Sequence, residues 1–395
     1  MLSQQHIDTV KSTIPLLESV GSQITEHFYV RMFKHNPELK DIFNMSHQHS
    51  GGQSVALFNA LAAYATHIDN LPVLTAAVER IAQKHTSFNI QPEHYDIVGH
   101  HLIETLRELA ADAFTPDIED AWIAAYGLLA SVFIGREGEL YSERAATDGG
   151  WSGPRRFRLI EKRIESELVK SLVFEPVDGQ PVIGYQPGQY LGVKVKPTTS
   201  EHIEIRQYSL SDTPNGETYR ISVKREAMGV PGQVSNYLHD GLRLNQEVEL
   251  LAPAGDFLFT DRQRPVVAIS AGVGLTPMIS ILETLARKGY SQPIHYLHAC
   301  ENLEQHSFRK RVNQLAEALP LTAHTWYNQD HSDAANSHHG LMDLSLIKQE
   351  LPLNDGDFYL CGPTPFMRFI KQQLLNLGAT EDQIHYEVFG PHQDF

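Results

Sequence analysis

Cysteine is almost absent from this chain: of its 395 residues only Cys300 and Cys361 are cysteines. Two thiols cannot build a disulfide framework or an all-cysteine zinc site, and such sparse use suits a reducing cytosol, so a cytoplasmic location is expected. Positive charge is also scarce. Lys and Arg number 32 against 48 Asp and Glu, a formal net charge of −16 with no basic run, which argues against nucleic acid or an anionic membrane as main partner. The opening MLSQQHIDTVKST is too polar for a secretory signal. An unbroken apolar span is missing too. The nearest imitation, PVVAISAGVGLTPMISIL at 265–282, is interrupted by Gly272, Gly274 and Pro277 and reads as a buried strand, a glycine turn and a helix, so no transmembrane segment is expected. There is no internal repeat and no low-complexity stretch.

What is present exceeds one hydrophobic core, since a chain of this length usually divides into two or three domains. The texture changes once. Up to about residue 147 the chain is helical in pattern, with apolar residues at three and four spacing in DTVKSTIPLLESVGSQITEHFYVRMF, VALFNALAAYATHI, VLTAAVERIAQKH, HYDIVGHHLIETLREL and IEDAWIAAYGLLASVFI. TDGGWSGPRRF, 147–157, concentrates glycine and proline as a boundary does. Short β-patterned runs follow (RLIEKRIES, LVKSLVFEPV, YLGVKVKP, YRISVKRE), suggesting a small antiparallel β-barrel. From PVVAIS onward strands alternate with helices, the mark of a doubly wound α/β sheet. The expected fold is therefore multidomain: all-α over 1–147, a β-barrel over 151–259 and an α/β nucleotide-binding unit over 263–395.

The segment RIAQKHTSFNIQPEHYDIVGHHL, 80–102, holds four of the chain's 21 histidines. Composition alone does not say which of them, if any, ligates a metal, since a given histidine is more often a surface or core residue. Tyr29 and Gln53 are polar positions on otherwise apolar helical patterns, Tyr29 alongside Phe28 and Phe33. Later motifs have a physical reading of their own. EIRQYSL supplies a phosphate-binding guanidinium in Arg206, then Gln207, an aromatic that can stack on a flat ring in Tyr208, and a small hydroxyl in Ser209. GQVSNYLH places Gly232, Gln233, Val234 and Ser235 where a helix begins, so backbone N–H groups can meet a pyrophosphate. AISAGVGLTPM carries Ala271, Gly272, Val273, Gly274, Leu275 and Thr276 between strand and helix, but reads G-x-G-x-x-P and departs from the dinucleotide fingerprint at its last glycine. Cys361, Gly362 and Pro363 follow another strand in FYLCGPTPFM.

Together, HFYVRMF, NPELKDIFNMS, QKHTSF with HYDIVG, and REGELY resemble the haem domain of bacterial flavohaemoglobins, and the later motifs resemble the flavin and nucleotide domains of the ferredoxin reductase superfamily. The resemblance implies a globin fold with His85 as proximal ligand of one haem b, while His94, His100 and His101 are surface or packing residues. It implies that Tyr95 and Glu137 hydrogen-bond to the proximal imidazole and to each other, giving it imidazolate character that favours activating O₂ over storing it. The distal pocket would be Tyr29, Gln53, Leu57 and Phe43, with Tyr29 donating to bound O₂ and Phe43 wedged against the porphyrin. One FAD would be held by Tyr190, Arg206, Gln207, Tyr208, Ser209, Gly232, Gln233, Val234, Ser235, Val388, Phe389, Gly390 and Pro391. The nicotinamide nucleotide would meet Ala271 to Thr276, Glu301, Cys361, Gly362 and Pro363. Lys84 and Glu387 would lie between haem and flavin and tune their potentials. Gly135 and Gly138 suggest that Glu137 stands at a helix end, a departure that leaves its geometry open.

The implied activity is that of a monomeric nitric oxide dioxygenase whose small-molecule partners are O₂, NO and NAD(P)H. Two other readings stand beside it: an oxygen-binding or sensing globin whose reductase repairs ferric haem, and a plain reductase of flavins, ferric chelates or quinones. In PIHYLHACENLEQHSF the strand is expected to reach about His298, with Glu301 next, where a carboxylate can accept from a ribose 2′-OH and would repel a 2′-phosphate. NADH should therefore be preferred over NADPH by at least about tenfold in kcat/KM, roughly 1.4 kcal/mol, with Glu301→Arg narrowing the gap; equal use of both cofactors by the native chain would overturn this reading of Glu301.

Overall fold

The computed structural model describes residues 2–43, 52–227, 231–329 and 335–390. The N-terminal part is helical: α1 (Gln4–Ser12), α2 (Ile14–Val20), α3 (Gln23–His35), a 3₁₀ turn at Pro37–Asp41, α4 (Gly52–Thr66), α5 (Thr75–Thr86), α6 (Pro92–Ala110) and α7 (Pro116–Ala146). The first periodic run of the sequence is thus not one helix. It breaks at Thr13 and again at Gly21, whose φ of +59° suits glycine and ends α2. Caps set the other starts: the Ser3 hydroxyl accepts from the His6 amide at 3.1 Å and Thr115 does the same for Ile118. Pro92 and Pro116 stand in first turns, where a missing N–H costs nothing. Phe28, Met32, Tyr64, Leu102, Leu106, Trp122 and Ala125 form the common core.

Helix α7 corrects one expectation. Glu137 is not at a helix end, because the helix continues for nine residues to Ala146. Gly135 and Gly138 lie on its exposed outer face with nothing within 4 Å of a Cβ at either, so they weaken the helix without bending it away from its buried face. Among the described residues α7 is also the one helix long and apolar enough to cross a membrane. Ala121, Trp122, Ala125, Phe133 and Leu140 bury that apolar face within the helical unit. The 265–282 run is strand, glycine turn and helix, as its interruptions require.

Residues from Arg155 form an antiparallel six-stranded sheet of β1 (Arg155–Ile164), β2 (Val169–Pro176), β3 (Tyr190–Val195), β4 (Glu204–Ser209), β5 (Tyr219–Lys224) and β6 (Glu247–Leu250), ordered β4-β3-β6-β1-β2-β5. A bridge between Leu210 and Ile221 joins the two edges and closes the barrel. Its interior holds Phe157, Leu172, Phe174, Tyr219 and Ile221. A four-residue helix, α8 (Gln233–Asn236), packs on it through Val234.

The C-terminal sheet is parallel throughout, ordered β10-β9-β8-β7-β11-β12, with β7 (Val266–Ala271), β8 (Ile294–Cys300), β9 (Leu321–Tyr327), β10 (Ser337–His339), β11 (Asp357–Cys361) and β12 (Ile384–Glu387). Helices α9 (Leu275–Lys288), α10 (Arg309–Ala318) and α11 (Thr364–Leu377) accompany it. Strand β8 runs two residues past the expected His298 because its ladder with β9 continues to Cys300 opposite Tyr327. Chain direction across the sheet reverses between β7 and β11, and a doubly wound sheet binds its ligand at the strand ends of such a switch point.

Glycines in the helical unit give a matched stability test. A Cβ at Gly99 would sit 2.4 Å from the Tyr126 ring, whereas one at exposed Gly127 meets nothing within 4 Å. Gly99→Ala should destabilise by about 1–3 kcal/mol through overpacking, and Gly127→Ala should stabilise by up to about 1 kcal/mol through helix propensity. Thermal unfolding of the two variants should shift in opposite directions.

Candidate functional site

Helix α5 ends by presenting His85 toward α6 and α7. Glu137 Oε1 lies 2.7 Å from His85 Nδ1 and 2.5 Å from the Tyr95 hydroxyl, and the same hydroxyl is 2.9 Å from Nδ1. Burial, then the neighbouring Glu137, push the Tyr95 pKa far up, so this phenol keeps its proton and donates it to the carboxylate. A carboxylate that accepts from both neighbours places the imidazole proton on Nδ1. That leaves His85 Nε2 as the ring nitrogen with no partner among the described residues. Exposure follows the same direction: the His85 side chain is 33% exposed and Glu137 behind it 3%. One open imidazole nitrogen backed by a buried carboxylate fits the donor that a haem iron takes. Tyr126 steadies the arrangement by donating to the Tyr95 carbonyl at 2.6 Å, and the Phe133 ring packs 5.7 Å from the imidazole.

The other histidines of that segment have ordinary duties. His94 closes a capping box by accepting from the Gln91 amide at 2.9 Å, His100 is exposed, and His101 is buried between Arg31 and Asn36.

Four aromatic rings gather on α3 and the residues after it. Tyr29 stacks on Phe33 with centroids 5.9 Å apart and meets Phe28 and Phe43 edge-on at 5.0 and 6.0 Å. Tyr29 is buried, and Phe43 and Leu57 pack half-buried against the same core. Gln53 opens α4 and is half-buried.

The helical unit meets the barrel along a seam beside His85. Buried Arg144, from the last turn of α7, donates to Gln83 Oε1 and Thr86 Oγ1 at 2.5 and 2.6 Å, and Gln83 Oε1 also accepts from the Gly255 amide of the barrel at 3.2 Å. On the barrel side, Tyr190 faces Ser209 and Gly192 faces Gln207 across β3 and β4. Strand alternation puts Tyr190, Gln207 and Ser209 on one face and Arg206 and Tyr208 on the other. Tyr190 and Tyr208 are both half-buried, and burial raises the pKa of each phenol well above its ordinary value. They can stack as neutral rings. Arg206 already holds Glu204 Oε2 at 2.8 Å and the Ile205 carbonyl at 2.9 Å, so an incoming phosphate would share the guanidinium with a buried carboxylate. Gly232 is the N-cap of α8, without a side-chain cap on its first-turn amides, and Ser235 is buried behind it. Stackable phenols, a guanidinium and uncapped amides within one barrel are the groups a flavin nucleotide needs.

At the switch point two loops touch. A Cβ on Gly274 would lie 2.2 Å from the Cys361 carbonyl, and Gly272 takes a φ of +53°, so both glycines are required by the turn. Ala271 to Thr276 and Cys361 to Pro363 are thereby brought to one edge. Burial pushes the Cys361 thiol well up, which makes it a packing group and not a nucleophile. Exposed Glu301 caps β8 and accepts from Asn328 Nδ2 at 3.0 Å.

Glu387, paired with Cys361 in the β11–β12 register, sits where the three parts converge. Lys84 Nζ donates to the Gly390 carbonyl at 2.7 Å. Burial, then the Asp256 charge, raise the Glu387 pKa to about 8 against the opposing Lys84 and Arg80. Lys84 is itself depressed by burial, partly offset by Glu387. Val388 and Gly390 are half-buried, whereas Phe389 lies beyond the end of β12 and is 46% exposed. Pro391 lies outside the described residues. Sequence reasoning did not single out Gln83, Arg144, Arg80 or Asp256. The available signal was the glycine pattern, since Gly192 inside a strand and Gly255 at φ +122° both mark close approach of other groups.

Three family models match in chain order: Globin over residues 26–133, Oxidoreductase FAD-binding domain over 156–259, and Oxidoreductase NAD-binding domain over 268–372. The chain is 57% identical over 394 residues to a curated flavohemoprotein of Vibrio cholerae serotype O1, covering 99% of both. A flavohemoglobin from Malassezia yamatoensis, solved with bound FAD and haem, is similar across 98% of this chain and 100% of its own at a TM-score of 0.87 and 27% identity. The FAD/NAD-binding domain of a nitric oxide dioxygenase from Vibrio cholerae O1 biovar El Tor covers 60% of this chain and 99% of its own, at 49% identity and a TM-score of 0.58.

Proposed function

The chain belongs to the flavohaemoprotein family, and from that premise we propose that it is a cytoplasmic, monomeric nitric oxide dioxygenase, converting NO and O₂ to nitrate with electrons from NADH. The observation that carries the reading is the shared Glu137 oxygen behind His85 and Tyr95, joined in one chain to a flavin-type barrel and a nucleotide sheet. When bound, FAD accepts hydride and releases electrons singly, and haem binds and activates O₂.

Everything else falls to the side chains. His85 Nε2 would hold the iron, while Glu137 keeps the proton on Nδ1 and raises the basicity of the ring. An oxygen carrier needs no such push, which disfavours the first alternative reading. Tyr29, with Phe28, Phe33 and Phe43 around it, would offer its hydroxyl to O₂. Gln53 and Leu57 complete that side. Tyr190, Arg206 to Ser209, Gly232 to Ser235 and Val388 to Gly390 would hold FAD, with Phe389 as the aromatic that covers the flavin ring. Ala271 to Thr276, Glu301 and Cys361 to Pro363 bind NADH.

The test is NO consumption. Removal of NO should require both NADH and O₂ and yield nitrate, while His85→Ala should lose stoichiometric haem and NO removal yet keep NADH oxidation by artificial acceptors, because the two halves have separate cores. NO removal by the native protein no faster than autoxidation would refute the assignment.

Glu387 gives a pH prediction. Its raised pKa means that the folded chain holds this proton below about pH 8 and ionises above it. A new negative charge disfavours electron uptake nearby, so the flavin potential should fall more steeply through about pH 8 in the native protein than in Glu387→Gln. The linked stability has the same sign: an acid raised above its ordinary range stabilises the folded state at low pH and loses that contribution as pH rises toward 8. Superimposable potential profiles for the two proteins would place Glu387 outside the redox path.

A further inference from the structure

One seam contact is used by none of these roles. Ser87 is fully buried and caps α5 two residues after His85. Its amide reaches the Lys84 carbonyl at 3.1 Å, and its hydroxyl donates to the same carbonyl at 2.6 Å. With its proton committed there, the hydroxyl accepts from Gln207 Nε2 at 3.1 Å. The Ser87 carbonyl, in turn, comes so near β3 that a Cβ on Gly192 would lie 2.1 Å from it. Gly192 and Gln207 are direct partners across β3 and β4, flanked by the Tyr190–Ser209 pair. One residue therefore touches the end of the His85 helix on one side and the strand pair of the flavin cradle on the other.

We propose that Ser87 is a positioning residue for the one-electron step between the two cofactors, and that Gly192 is the gap into which it docks. Its hydroxyl bond fixes the register of α5 against β4, and the missing side chain at 192 lets the two backbones approach. Neither group touches the reacting atoms; each sets the separation and angle of the elements that do. This inference rests on the flavohaemoprotein reading for the identity of the cofactors.

The test uses holoprotein carrying haem and FAD, without NO, so that its outcome is separable from the dioxygenase assignment. Gly192→Ala inserts a methyl group into the seam, and Ser87→Ala removes both hydroxyl bonds, to the Lys84 carbonyl and from Gln207, without adding bulk. Haem reduction by NADH, followed anaerobically by stopped flow, should slow by roughly tenfold or more in Gly192→Ala and by less in Ser87→Ala, since small displacements of reacting partners are costly. Flavin reduction, the haem spectrum and both midpoint potentials should stay at native values, while amide exchange across residues 85–90 and flavin fluorescence should rise. A residue that only stabilised the fold would lower the unfolding temperature without moving the electron step. Native haem reduction rates in Ser87→Ala with native amide exchange would overturn the proposal, even if Gly192→Ala failed to fold.

Discussion

A single carboxylate oxygen organises the helical half. Glu137 is buried in the middle of the longest helix, and burying an ionised group costs several kcal/mol unless it is paired. Here two hydrogen bonds to one oxygen offset that cost, each worth about 1.5–3 kcal/mol when charge-assisted. Those bonds also fix the ring of His85, the proton on Nδ1 and the angle between α5, α6 and α7. Removing the oxygen would leave the Tyr95 hydroxyl and the His85 Nδ1–H without their shared acceptor. The open side of the imidazole is a consequence of its closed side.

The second constraint is the seam, where polar groups from all three parts meet with little net charge. Arg144 is buried with amide and hydroxyl acceptors in place of a carboxylate, and burial holds its pKa below the usual guanidinium range. Two bases, Lys84 and Arg80, and two acids, Asp256 and Glu387, gather near the end of β12. Arg80 and Asp256, 3.5 Å apart and about one-third exposed, contribute little stability as an exposed pair. Their effect is on Glu387, whose proton affinity they modulate in opposite senses. A site that passes electrons between two bound groups benefits from charges held by packed backbone, because reorganisation at the moment of transfer is then small.

How much of this was legible beforehand varies with the physics involved. Helix periods, the glycine-proline boundary and the strand-helix alternation are local signals, and they gave the three-part architecture in the right order. His85, Tyr95 and Glu137 were named from motif resemblance, and the structure does bring them within hydrogen-bond reach. Helix ends were less readable: the first helical run hid two breaks, and Gly135 and Gly138 looked like termination although α7 passes through both. Propensity is a weak term that tertiary packing overrides, here through Phe133 and Leu140 on the buried face. Arg206 looked like an open phosphate ligand, yet Glu204, two residues before it, already engages it.

The sequence by itself determined fold class, the order of domains and the residue types able to ligate, stack and cap, because these depend on composition and on neighbours a few positions apart. Only the tertiary structure decided which groups meet across sequence separations of 42 to 306: Tyr95 with Glu137, Gln207 with Ser87, Lys84 with Gly390. Such pairings follow from how packed helices and strands approach, and close backbone approaches such as those at Gly192 and Gly274 leave only an absent side chain as their trace in the sequence. The proton affinity of Glu387 likewise has no local cause, since burial and charges from two distant segments, α5 and the barrel's Asp256, set it together.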